Sequence, residues 1–147
     1  MIQLLQNKKV IFFDVGYTLD RPASGDWVLT NRFLKEAGDR FKACSEDEIQ
    51  KTKGTVLQYM AEHHHMTTVE AEISHFYRIY SIISDALDLG LSEKQREEIA
   101  LDRACNMENY LPYPGIQEVL ETASDAATPL FSSASRYMRL SGLNTPK

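Results

Sequence analysis

Cysteine is scarce: Cys44 and Cys105 are the only two in 147 residues, and neither has metal-ligand residues beside it. A disulfide framework and a zinc-finger spacing are thereby excluded, and two buried or half-buried thiols in a reducing compartment, the cytoplasm, are expected. Long apolar runs are absent as well. A bilayer span needs about 20 apolar residues, whereas Val10 to Phe13 stops after four, on an aspartate, with no small-residue cleavage site behind it. Neither a membrane span nor a signal peptide is expected from that run. Basic residues form no stripe. The 16 Lys and Arg are scattered among 21 Asp and Glu, giving a net charge of −5. No phosphate backbone would be neutralised by such a surface, which argues against nucleic acid as a partner. Repeats and low-complexity tracts are also missing. What remains, 43% hydrophobic and 25% charged, is the composition of a globular chain long enough for one domain with an insert.

After Lys8-Lys9, the run Val10-Ile11-Phe12-Phe13 predicts a short strand buried on both faces, of the kind found in parallel sheets, and Gly16 stops it. Asp20 to Gly25 reads as a loop. From there to Met107 the apolar spacing is helical. Trp27, Leu29, Phe33 and Leu34 predict a first helix that Gly38 ends. Ser45 with Glu48 forms a capping box, before a helix burying Ile49, Val56, Leu57 and Met60. Thr67 with Glu70 forms a second box. The helix behind it carries Val69, Ile73, Phe76, Tyr77, Tyr80, Ile83 and Leu87, and Gly90 closes it. Ser92 with Gln95 opens a fourth helix through Ile99, Ala100 and Met107. Tyr110 to Gly115 is a proline-rich connector, with Pro114 in the first turn of a helix whose face is Ile116, Val119 and Leu120. Beyond Ser124 only Pro129-Leu130-Phe131 suggests a strand.

A carboxylate directly after a buried strand sits at the strand's carboxyl end, where open α/β sheets bind ligands. That carboxylate is Asp14. Gly16 lets the chain turn and bring N–H groups to an anion, and Thr18 offers a hydroxyl to a phosphate oxygen. The plainer alternative makes Asp14 a turn cap. The stretch Asp14-Val15-Gly16-Tyr17-Thr18-Leu19 behind Val-Ile-Phe-Phe resembles the first motif of the haloacid dehalogenase-like (HAD) hydrolases, Asp-x-Asp-x-Thr behind an apolar strand. Residues 26–107 resemble the family's helical cap. Tyr113-Pro114-Gly115-Ile116 through Val119-Leu120 resembles its return to the core, so the likeness covers residues 8–123. It implies an α/β architecture, predominantly helical: an incomplete Rossmann-like core with its first parallel strand (residues 1–20 and 108–147) and a four-helix cap insert (residues 21–107). It also implies a phosphatase of small phosphorylated metabolites that works through an aspartyl-phosphate, with Asp14 as nucleophile. Mg²⁺ would be held by the Asp14 carboxylate, the Gly16 carbonyl and a distant acid. Thr18 and Gly16 would bind phosphate, and the cap would exclude water and select the substrate.

The sequence departs from this pattern twice. Gly16 stands where the motif carries its second aspartate, the group that protonates the leaving oxygen and activates water, work worth about 10²–10⁴ in rate. Activated leaving groups should therefore be handled better than alkyl phosphates. The later motifs are also missing. Ser132 or Ser133 is the nearest match to a strand-end hydroxyl, only Lys147 follows Lys94, and no acid follows Asp125. The likeness stops within Leu120 to Ser124, as expected of a truncated or frame-shifted product or of a core completed by a partner chain, with impaired catalysis. Two other readings stay open: a non-catalytic fragment or protein-interaction module, and a metal-independent haloacid dehalogenase in which Asp14 attacks carbon. His63-His64-His65 reads as a solvated helix end, since consecutive helical residues splay by about 100°.

Overall fold

The computed structural model describes residues 12–126 and 131–132. They fall into two compact units, one formed by residues 26–109 and the other by the described residues of 1–25 and 110–147. The described chain is mostly helical. No helix among the described residues is long and apolar enough to cross a membrane.

Residues 26–109 form four helices: α1 (Asn31–Lys42), α2 (Glu46–Glu62), α3 (Val69–Ala86) and α4 (Glu93–Cys105), then a 3-10 turn at Met107–Asn109. Two starts follow the sequence expectation in full. The Ser45 and Ser92 hydroxyls accept from the N–H groups of Glu48 and Gln95 at 3.3 and 3.2 Å. Those side chains accept in return from the two serine N–H groups at 2.9 and 3.0 Å.

Two other starts differ. α3 is capped by Thr68, whose hydroxyl accepts from Ala71 at 3.1 Å, so the expected box of Thr67 with Glu70 does not form. Thr68 is the residue in extended conformation before the first turn, and three residues on stands an alanine with nothing to return. α1 begins at Asn31 rather than near Trp27. The Asp26 carboxylate accepts from the Val28 and Leu29 N–H groups and holds Trp27 to Leu29 in a turn, and Thr30 then caps the helix. Gly38 does break the helical path, at φ 55°, ψ −133°, a conformation open to glycine alone, but the chain resumes helical geometry to Lys42.

The core of this unit is built on Phe33 and Tyr80, both fully buried and stacked with centroids 5.6 Å apart. Phe41 meets the Phe33 ring edge-on at 5.4 Å, and Ile79, Leu89, Ile99 and Ala100 are fully buried beside them. The Tyr80 hydroxyl donates to the Val28 carbonyl at 2.7 Å, and burial pushes its ionisation well above the ordinary phenol range. Leu57, expected inside, is 62% exposed. α2 buries Val56 and Thr52 instead, so its inner face runs between them and leaves Leu57 outside.

Buried His75 stacks on Tyr59 at 5.2 Å and meets Phe76 edge-on. Burial first, and the nearby His63 imidazole second, lower the His75 pKa below its ordinary 6.5. A buried neutral imidazole stabilises the fold above the unfolded value and loses that contribution as pH falls towards the lower folded value. The melting temperature should therefore drop on acidification from pH 7.5 to 5.5, and His75→Gln should flatten that slope. An equal slope in the variant would assign the acid sensitivity elsewhere.

In the other unit, β1 (Phe12–Phe13) pairs in parallel with β4 (Phe131–Ser132), with Phe12 opposite Phe131 and Phe13 opposite Ser132. Further along, β2 (Asp20–Pro22) pairs antiparallel with β3 (Tyr110–Pro112), Asp20 opposite Pro112. The chain thus leaves from one strand of this pair and returns on the other, and the four helices are inserted between them. α5 (Ile116–Ala126) follows the Pro114-Gly115 turn, which precedes the helix rather than forming its first turn. Its Ala123 is buried, while Ile116, Val119 and Leu120 are half-buried. The expectation that the first strand is buried on both faces is corrected at Phe12, which is 81% exposed. Apolar composition says that a strand can be covered; it does not supply the covering layer. Val10, Ile11, Pro129, Leu130, Ser133 and the tail lie outside the described residues, and a complete Rossmann-like core is not shown.

Candidate functional site

Asp14 follows β1 directly, and its side chain is exposed. The loop behind it is closed by its own backbone. The N–H groups of Thr18, Leu19 and Asp20 all donate to the Val15 carbonyl, at 3.1, 2.8 and 3.2 Å, and the Tyr17 N–H donates to the Asp20 carbonyl at 2.7 Å. This knot forces Tyr17 to φ 60°, in the left-handed region that a bulky residue occupies at a cost of about 1–2 kcal/mol. Sparsely populated backbone of this kind gathers at functional sites.

The same knot brings Thr18 back to Asp14. Its Oγ1 donates to Asp14 Oδ2 at 2.9 Å, the bond that joins two of the residues singled out from sequence. The Thr18 hydroxyl therefore orients the carboxylate in this structure rather than standing open to an anion. Gly16, the third of them, is exposed and faces Asp20 across an isolated bridge, and its own N–H and carbonyl take part in none of the loop bonds above. The expected use of the loop's amides for phosphate is limited accordingly, since those of residues 17–20 are already engaged.

Across the parallel pair, Ser132 is the register partner of Phe13, one residue short of Asp14. The two strands thus run the same way and end side by side. Ser133, the other hydroxyl considered, lies outside the described residues.

Two features escaped the sequence reading. Tyr17 carries the strained backbone; its only signal was a large residue placed directly after a turn glycine. Asp20, which reads as loop from the sequence, is 4% exposed and opens β2, where its pairing with Pro112 has no local signature.

A hard divalent cation takes one or two protein carboxylates and fills its shell with water and substrate phosphate. An exposed carboxylate oriented by one hydroxyl, with a glycine two residues on whose carbonyl is outside the loop's bonds, fits that donor set in part. The distant acid of the expectation has no counterpart here, and no group of three or more His, Cys, Asp or Glu is gathered for a metal among the described residues.

No family model, curated protein or solved structure matches the chain.

Proposed function

We propose that the chain is a HAD-like hydrolase, a Mg²⁺-dependent phosphatase of a small phosphorylated metabolite in the reducing cytoplasm, with Asp14 as nucleophile. The observation that carries this reading is the Asp14–Thr18 pair at the carboxyl end of a strand that runs parallel to its neighbour. The insertion of four helices between β2 and β3 supports it further, as the expected position of a cap.

An Asp14 oxygen attacks phosphorus, the bond from phosphorus to the leaving oxygen breaks, and water then hydrolyses the aspartyl-phosphate. Thr18 holds the carboxylate in one orientation, a positioning role. Mg²⁺, held by the Asp14 carboxylate and the Gly16 carbonyl, would supply charge neutralisation between nucleophile and phosphate. With glycine at position 16, no carboxyl group on that residue protonates the leaving oxygen. Leaving groups that depart as stable anions are therefore favoured.

The test is phosphate release from an aryl phosphate and from a sugar phosphate, with Mg²⁺ and after chelation. The aryl ester should turn over on the order of 10² faster, matching the worth of the missing acid, and both rates should vanish with EDTA. Equal rates on the two esters would overturn the leaving-group argument. Release of halide from a haloacid without metal would replace the phosphatase by a dehalogenase.

The 81% exposure of Phe12 on β1 favours a second reading, a module whose sheet is covered by a partner chain. A monomer in solution with Mg²⁺-dependent activity would defeat it.

A further inference from the structure

α2 ends at Glu62, and His63 is its C-cap, with φ −130° and ψ 49°. His64 and His65 therefore lie on non-helical chain, and the angular splay of helical neighbours does not apply to them. All three imidazoles are exposed. His63 is committed to the helix: its ring stacks on Tyr59 at 4.3 Å, and its Nδ1 lies 2.9 Å from the Tyr59 carbonyl.

His64 makes the same kind of backbone contact, but its ring meets His65 rather than Tyr59. Its Nδ1 lies 2.8 Å from the Ala61 carbonyl oxygen. A carbonyl cannot donate, so in the neutral ring the proton sits on Nδ1 and Nε2 keeps its lone pair. A backbone carbonyl fixing the tautomer in this way is the usual support of a metal-bound histidine. The His65 ring is 4.0 Å from it, centroid to centroid, and tilted by 46°, so the two imidazoles lie side by side.

We propose that His64 and His65 form a surface site for a divalent transition cation, Cu²⁺ foremost, with water completing the shell. Two imidazole nitrogens suit a borderline metal of tetragonal preference and not the hard Mg²⁺. The site thus differs from Asp14 in chemistry and belongs to the other unit of the chain.

The experiment titrates the full chain with Cu²⁺, and separately with Mg²⁺, by calorimetry and electron paramagnetic resonance. One Cu²⁺ per chain is expected at this site, with hyperfine coupling to two imidazole nitrogens. The His64→Gln/His65→Gln double variant should bind at least tenfold more weakly, whereas His63→Gln stays within threefold. Affinity should also fall in acid, because protons compete for the same lone pairs. Unchanged affinity in the double variant, or coupling to a single nitrogen in the wild-type chain, would overturn the proposal. Both variants lie outside the buried core, so a retained circular dichroism spectrum separates loss of ligand from loss of fold.

Discussion

Asp14→Asn is expected to leave the chain folded and to remove Mg²⁺-dependent phosphate release. The side chain is exposed and its partner among the described residues is Thr18. The asparagine carbonyl can still accept that hydrogen bond. Stability should therefore change by no more than about 0.5 kcal/mol, as for most surface substitutions. Chemistry should respond very differently. A neutral amide has neither the negative charge that attracts a metal nor the lone-pair basicity that attacks phosphorus. Removal of a covalent nucleophile in a well-studied hydrolase costs on the order of 10⁶ in kcat, which here means a fall to background. Kinetics with an aryl phosphate, beside a melting curve on the same sample, make the comparison. A variant that kept the wild-type rate would end the assignment of Asp14, whereas two inactive samples would favour the partner-binding reading.

Phe33→Ala should produce the largest loss of stability in the helical unit. The ring is fully buried, stacked on Tyr80 and edge-on to Phe41. Its neighbours come from α1 and α3, so the cavity cannot close by shifting one side chain alone. Phenylalanine-to-alanine truncations in cores cost about 3–5 kcal/mol, a large share of the roughly 5–15 kcal/mol that holds a domain together. Trp27, the single tryptophan, lies in the same unit. Urea unfolding followed by its fluorescence should show the midpoint falling steeply, with Phe33→Leu intermediate. A midpoint unmoved by the alanine variant would mean that the unit is held elsewhere.

Much of the helical unit was legible because its signals are local. A capping box needs two side chains three residues apart, and both Ser45–Glu48 and Ser92–Gln95 form it. Where a competing residue stands one position along, as Thr68 beside Thr67, sequence spacing picks Thr67 and the structure caps the helix with Thr68. Spacing also located the core stripe of α3 at Phe76, Tyr80 and Ile83, yet it passed over fully buried Ile79 and chose exposed Leu57 on α2. A helix face is several residues wide, and its centre is set by the neighbour it meets. At the candidate site, Asp14, Gly16 and Thr18 were named from type and order, but the Asp14–Thr18 bond depends on the backbone knot around Val15.

By itself, then, the sequence determined the existence of four helices between residues 31 and 105, the two capping boxes and the placement of an aspartate directly after an apolar strand. Each of these depends on residues within a few positions of one another. Tertiary structure alone decided that β2 pairs with β3, that Phe12 stands opposite Phe131, that Phe12 is exposed and that the His64 and His65 rings lie close together. Those outcomes depend on which distant segment, or which backbone path, arrives beside a residue, and no local spacing encodes that.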